Sequence, residues 1–414
     1  MSASPGTAVE PVLSRPRRSS ATIHAQRLIA ALRSVVPALP SWLIAVAMAP
    51  RLAPGGTVSP WNPTMPYARA MWFSGHQIVS FQQIYLSPDP SSAMLFPLSS
   101  VGAGAATVMS LGSWFGWQLL FLALSAGALT WLVHRCAGLS GWKLTLVSAL
   151  VMAGTAPARV AVGQGTLDLL MVCLLVAGLW PRRPATGRGA VAVGLAAAVW
   201  IGPLVAIVAL IAGGLPRGWR RLVRLVRAPQ QRFQAAYRGL VALGVALFIT
   251  LCALFALPWA TNDYWWLIRR GAAGVGTGLD PSLGARAGLA GWILGGLLAM
   301  GGLLSAAAQV RAGRIRAALV YVCLAMAIGL PAQFAGQGAV ALVVALVLVR
   351  TKLAWPQRAA VAAWAGWTCL VPVDLVAQMS ARGVLGEAAL WVGPVMGCCA
   401  LCVIVGSTLR ERLA

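Results

Sequence analysis

Apolar stretches close to the length of one membrane crossing recur along almost the whole chain, and no other feature limits its fold as strongly. A helix needs about 20 apolar residues to cross a bilayer. Mean hydropathy is +0.80, and only 10% of the residues are charged, whereas soluble domains carry about 25% charged residues. A soluble globular fold is therefore excluded, and we expect an all-α polytopic membrane protein.

Ten apolar segments each predict one crossing, and the run Gly189–Leu215 predicts two. Arginine clusters flank that run on both sides, and the positive-inside rule places both clusters in the cytoplasm. Gly202-Pro203 interrupts the helix because proline lacks the backbone donor, so we expect two half-helices that cross and return. About twelve helices follow (eleven to thirteen), with both termini cytoplasmic. The ten single segments are 35–50, 114–134, 143–157, 165–181, 239–259, 288–309, 317–333, 337–349, 359–378 and 388–408.

Residues 1–34 and 409–414 are interpreted as cytoplasmic tails around one multi-pass domain, 35–408. The first tail is rich in Ser, Pro and Arg, a composition typical of disorder. Residues 217–238 interleave arginines with apolar side chains, so this basic amphipathic segment is expected to lie on anionic lipid head groups at the cytoplasmic surface.

Residues 51–111 predict a long outer loop that is rich in Pro, Trp and Gln. Its apolar piece, Ala93–Met109, is interpreted as an interfacial or re-entrant helix, because a full crossing would invert the topology of everything that follows. Loops of this length are usually functional or disordered, and the aromatic content favours function.

In this topology most basic residues fall on the cytoplasmic side of the membrane and most acidic residues fall on the outer side. Of the 32 basic residues, 25 fall on the cytoplasmic side, so the net charge of +24 reflects topology rather than a nucleic-acid partner. Six of the eight acids fall in outer loops or near outer helix ends, which places any chemistry on the outer face unless acids are merely tolerated there. These six are Asp89, Asp168, Asp263, Asp280, Asp374 and Glu387.

The cysteines and histidines do not predict a metal site. All eight cysteines lie in or beside apolar runs, where they behave as small hydrophobes. The histidines His24, His76 and His134 are scattered and no pair of CxxC motifs occurs, so metal-ligand spacing is absent. We expect neither a metal nor another cofactor.

Four stretches between residues 60 and 290 carry family motifs in a consistent order. A Gly-Gln pair ending at Gln164 precedes Asp168-Leu-Leu, and a small-residue run ends at Pro203. The other stretches are Tyr85 to Leu98, with its prolines, and Leu257 to Leu283, with Tyr264-Trp265. Together they resemble the integral-membrane mannosyltransferases of glycosyltransferase family 87, which are actinobacterial enzymes with the C-type membrane fold.

The resemblance implies a hexosyltransferase of the plasma membrane. The expected donor is polyprenyl-phosphate mannose, and the expected acceptor is a lipid or glycolipid at the outer face, as in envelope lipoglycan synthesis. Membrane lipids are the remaining expected partners. No nucleic acid is expected to bind.

Several motif positions depart from the family pattern. The family's catalytic Asp corresponds to Pro63 beside Asn62, its lysine to Trp200, its arginine to Gly274, and its Asn-Gln pair to Asp280-Pro281. Two alternatives therefore stay open. One is a catalytically degenerate paralogue that acts as a partner of envelope-glycan enzymes, and the other is a transporter or flippase of lipid-linked sugars.

Two residues of the first outer loop are candidates for the general base that the transfer needs. Asp89 is the first, because it lies between two prolines; the alternative is a turn residue. His76 is the second, because its ordinary pKa is near neutral; the alternative is a packed or solvated loop residue.

The remaining candidates are predicted to bind substrate. Arg269 and Arg270 follow an aromatic pair and suit a lipid phosphate, although interfacial anchoring explains them too. Asp168 either binds sugar hydroxyls or caps a helix. The full set of predicted binding residues is Gln164, Asp168, Tyr264, Trp265, Arg269, Arg270 and Asp280.

Overall fold

The computed structural model describes most of the apolar segments. The described residues are 36–48, 65–80, 99–180, 187–215, 234–260, 262–263, 283–330, 337–371 and 384–413. The predicted N-terminal tail lies outside these ranges, and so do parts of the outer loop and most of the basic amphipathic segment. Regular structure within the described ranges is helical throughout, so the all-α class is confirmed.

The helices are numbered in chain order. They are α1 (Leu39–Met48), α2 (Pro66–Val79), α3 (Ser100–Met109), α4 (Trp114–Leu132), α5 (Gly141–Gly154), α6 (Ala156–Gln164), α7 (Asp168–Leu179), α8 (Arg188–Val199), α9 (Leu204–Gly214), α10 (Gln234–Ala256), α11 (Leu283–Arg311), α12 (Ile315–Gly329), α13 (Gln337–Leu348), α14 (Trp355–Leu370) and α15 (Val384–Leu413). A π-helical turn, Val133–Ala137, continues α4.

Every predicted crossing coincides with a helix, but the helices differ in length. Among the described residues, four stretches are long and apolar enough to cross a membrane: Trp114–Ala137, Gln234–Ala256, Ala287–Arg311 and Ala388–Glu411. The pair α5 and α6 adds a fifth if the two helices, bent by 73°, count as one span. The other apolar helices are shorter, so they reach across a bilayer only where neighbouring helices cover their ends.

The predicted break at Gly202–Pro203 is confirmed, since α8 ends before it and α9 begins after it. Glycines allow both helices to pack closely against α10. A Cβ at Gly194 of α8 would lie 2.5 Å from the Ala242 carbonyl oxygen, and one at Gly239 would lie 2.6 Å from Cγ1 of Ile211 in α9. Gly194 and Ile211 would be about 25 Å apart in an unbroken helix, yet they pack within one turn of α10. The chain therefore reverses between α8 and α9.

Some boundaries differ from the sequence prediction. The outer loop contains α2, which hydropathy did not predict, and α3 covers only the second part of the predicted Ala93–Met109 piece. Helix α10 begins at Gln234, so the last residues of the basic amphipathic segment belong to this helix. Helix α15 continues to Leu413, past the predicted start of the C-terminal tail.

Helix α7 joins two chemically different ends of the bundle. Its first residue is Asp168, and Trp180 follows its last residue, about 18 Å away along the axis. We call the surroundings of Trp180, which include Arg135, Arg316 and Arg350, the basic end. The opposite end, around Asp168, is called the Asp168 end.

Candidate active site at the Asp168 end

A tight turn between α6 and α7 forms the centre of this end. Helix α6 ends at Gln164, and Gly165 adopts the left-handed conformation with φ +67°, which glycine accepts without steric cost. A Cβ at Gly165 would lie 2.6 Å from the Cβ of Ala68 in α2. Only glycine therefore lets this turn dock directly against the first turn of α2.

The start of α2 is held in an unusual backbone conformation. Met65 has φ 33° and ψ 64°, and it is the one non-glycine residue with positive φ among the described residues. Its side chain is completely buried. A left-handed non-glycine residue costs of order 1–3 kcal/mol and persists only where packing enforces it. Packing of Met65 near Gly165 supplies that enforcement and fixes where α2 begins.

Tyr67 and Asp168 meet across this contact. Burial, and then the negative charge of Asp168, raises the pKa of the Tyr67 phenol above its ordinary value of 10.0, so the phenol stays neutral at physiological pH. The Asp168 carboxylate accepts a hydrogen bond from the Thr166 side chain. The α7 dipole also favours a negative charge at this first helical residue. The site thus combines a half-buried carboxylate with a neutral phenol.

Asp168 does not occupy the N-cap position of α7. Leu167 occupies the N-cap position of α7, which has no side-chain capping bond, and Asp168 is the first helical residue. Gln164 is half-buried and precedes Gly165 directly. The structure therefore brings together two of the predicted binding residues, Gln164 and Asp168.

Two arginines on the helices around this turn were missed by the sequence prediction. Arg69 lies on the first turn of α2, and its guanidinium carbon is 5.9 Å from the centre of the Trp114 ring. Arg159 lies on α6, and its buried Nε has no hydrogen-bond partner within the described ranges. The available signal was charge placement, because both belong to the few basic residues outside the predicted cytoplasmic loops.

His76 lies apart from this site. It is exposed near the end of α2, where its ring centre is 4.5 Å from that of Trp72 and its Nδ1 is 3.0 Å from the Trp72 carbonyl oxygen. Nine residues separate it from Tyr67, which corresponds to about 13 Å along the helix. A single substrate hydroxyl next to Asp168 is therefore out of reach of the His76 ring.

The run of small residues that ends at Pro203 contacts the start of α3 through a hydrogen bond between residues far apart in the chain. The Ser99 hydroxyl donates a 2.9 Å hydrogen bond to the Ala198 carbonyl oxygen. Trp200, which stands where the family has lysine, is buried. This bond ties the start of α3, in the predicted outer loop, to the last turn of α8.

Six predicted site residues lie outside the described residues: Asp89, Tyr264, Trp265, Arg269, Arg270 and Asp280. Asp263, which directly precedes Tyr264, is half-buried, and this burial raises the pKa of its carboxyl group. Within the described ranges, no group of three His, Cys, Asp or Glu side chains is placed to hold a metal ion. No protein-family description, curated protein or solved structure matches the chain.

Proposed function

We propose that the protein is a membrane glycosyltransferase that moves mannose from polyprenyl-phosphate mannose to a lipid or glycolipid acceptor at the outer face of the plasma membrane. One observation carries the proposal: the start of α2, in the predicted outer loop, docks on the Asp168 turn at the end away from the clustered arginines. In the proposed topology the chain crosses twelve times and both termini are cytoplasmic, so the Asp168 end faces outward.

In the proposed reaction Asp168 is the general base. The acceptor hydroxyl oxygen attacks the anomeric carbon of mannose, the bond from that carbon to the phosphate oxygen breaks, and the hydroxyl proton moves to the Asp168 carboxylate. Polyprenyl phosphate leaves with the electron pair. Asp168 is the candidate because its carboxylate lies at the turn on which α2 docks, beside Tyr67, where the Thr166 side chain donates a hydrogen bond to it.

Cationic side chains on the same side would hold the departing phosphate. Arg159 is the best-placed described residue, because its buried Nε still lacks a partner among the described residues, and a guanidinium binds phosphate in a bidentate manner. Arg69 carries a second positive charge two residues after Tyr67. Arg269 and Arg270 remain part of the proposal on sequence grounds alone.

The test is a transfer assay in membranes, with labelled polyprenyl-phosphate mannose and extracted glycolipids. Asp168→Asn keeps the size of the side chain but removes the proton acceptor, so transfer should fall by about 10²- to 10⁴-fold. Glu411→Gln is the matched control, because this carboxylate is exposed near the C-terminus of α15. It should leave the rate unchanged.

Asp89→Asn and His76→Gln, assayed in parallel, separate the candidate bases. A collapse of transfer in Asp89→Asn with an unchanged rate in Asp168→Asn would return the catalytic role to Asp89. A wild type that transfers nothing, but gains activity with Pro63→Asp, would identify a degenerate transferase.

A lipid-linked sugar flippase is the second candidate, and the reversal between α8 and α9 favours it. Transporters often bind their cargo where short, interrupted helices meet within the membrane. Reconstituted vesicles that translocate polyprenyl-phosphate mannose without transferring the sugar would support this function and contradict the enzyme.

A further inference from the structure

The basic end contains a cluster that the proposed reaction does not use. The guanidinium carbons of Arg135 and Arg316 lie 4.4 and 4.8 Å from the centre of the Trp180 ring. Arg316 also donates a 3.0 Å hydrogen bond from Nη1 to the Arg350 carbonyl oxygen. Four separate helical elements therefore meet at this cluster: the π-helical turn and the ends or starts of α7, α12 and α13.

Local backbone features place these arginines. Arg135 lies in the π-helical turn that continues α4, and such turns are rare and frequently occur at functional sites. Gly138 ends the turn with φ +72°, and a Cβ there would collide with Nη1 of Arg350. Glycine thus allows the Arg350 guanidinium to rest against the same turn that carries Arg135.

The cluster brings three guanidinium groups close to two helix C-termini. Arg135 donates through Nη2 to the Trp180 carbonyl at the C-terminus of α7, and Arg316 donates to the carbonyl just after α13. Each helix C-terminus contributes roughly half a negative charge, which favours guanidinium groups at this end of the bundle. The predicted topology places only two acids, Glu10 and Glu411, on the same side of the membrane as this cluster.

We propose that Arg135, Arg316 and Arg350 around Trp180 bind a phosphate group, carried by an anionic lipid headgroup or free in solution. Guanidinium groups match phosphate oxygens in geometry and charge. Basic pockets between helices at the cytoplasmic surface are typical sites for lipid phosphates. Because the site lies about 18 Å from Asp168 along α7, it is independent of the proposed transferase reaction.

The experiment measures binding to the purified full-length protein in a zwitterionic detergent. Dioleoyl phosphatidic acid, dioleoyl phosphatidylcholine and inorganic phosphate are titrated separately. The wild type should bind phosphatidic acid, and Arg135→Gln/Arg316→Gln should bind it at least tenfold more weakly. Lys143→Gln is the matched control, because Lys143 is a single cation 6.0 Å from the Trp142 ring; it should bind like the wild type.

The outcomes separate the two sources of phosphate. Inorganic phosphate that binds with the same arginine dependence, while the lipid does not, would identify a soluble phosphate as the ligand. Equal binding of phosphatidic acid by the wild type and the double variant would overturn the proposal. If the double glutamine variant does not fold, Arg135→Lys/Arg316→Lys keeps both charges but removes the planar fork, and unchanged binding there would overturn the bidentate site.

Discussion

The two ends of helix α7 carry side chains of opposite charge within a largely apolar bundle. At its N-terminus a single carboxylate, Asp168, lies beside a neutral phenol and a glycine contact. At its C-terminus the guanidinium groups of Arg135 and Arg316 stack on Trp180, and that of Arg135 donates to the Trp180 carbonyl. Both arrangements agree in sign with the helix dipole. The comparison shows that one short helix can separate a half-buried carboxylate from a cluster of guanidinium groups by its own length.

The largest effect is expected in a test of which end faces outward. In a cysteine-free variant, Ser80→Cys after α2 should react with a membrane-impermeant thiol reagent added to intact cells. Ala312→Cys, in the turn after α11, should react only after permeabilisation. Both residues are exposed, whereas Ser74 is buried and would report poorly. The reverse labelling pattern would place the Asp168 end in the cytoplasm and contradict the proposed topology.

The contact at the Asp168 end can be broken with one methyl group. Gly165→Ala forces a left-handed alanine and a collision with Ala68, and the backbone term alone costs about 1–2 kcal/mol. Thermal unfolding in detergent should show a loss of about 2 kcal/mol. Gly127→Ala is the control, because nothing lies within 4 Å of a Cβ at this helical position, and it should not destabilise. Equal stability of the two variants would mean that the turn does not dock on α2.

The stacking on Trp180 at the basic end should contribute less to the free energy of unfolding than the Gly165 contact does. Trp180→Leu removes two cation–π contacts, each worth about 0.5–1 kcal/mol when partly exposed, so about 1 kcal/mol of unfolding free energy should be lost. Trp142→Leu is the control, because Trp142 is 70% exposed and lies near one lysine only. The same loss in both variants would show that the arginines do not depend on the Trp180 ring.

The smallest effect concerns Tyr67 and emerges only at alkaline pH. The folded protein holds the pKa of Tyr67 above 10.0, so the unfolded chain ionises first and folding stability falls as the pH rises through this range. Tyr67→Phe removes that contribution, so its loss of stability above pH 10 should be shallower than that of the wild type. Stability curves against pH for both proteins provide the measurement. Parallel curves would place the phenol in a more polar environment than beside Asp168.

Much of the architecture could be predicted because it depends on local sequence. Hydropathy predicted a helix at every proposed crossing, and Gly202–Pro203 predicted the break, since a missing backbone donor interrupts any helix. Helix α2 was missed because its sequence mixes Trp, His, Gln and Arg with apolar residues, a composition typical of loops. Its helical start depends on the buried Met65, which packs against a turn about 100 residues later in the chain.

The sequence by itself determined the membrane-helical class and the segregation of basic and acidic residues along the chain, because both follow from the transfer free energies of short segments. Only the tertiary structure brought Tyr67 to Asp168, separated His76 from both, and gathered Arg135, Arg316 and Arg350 around Trp180. These contacts join residues far apart in the chain. They depend on which helices pack together and on glycines that allow close approach, and neither hydropathy nor spacing specifies that packing.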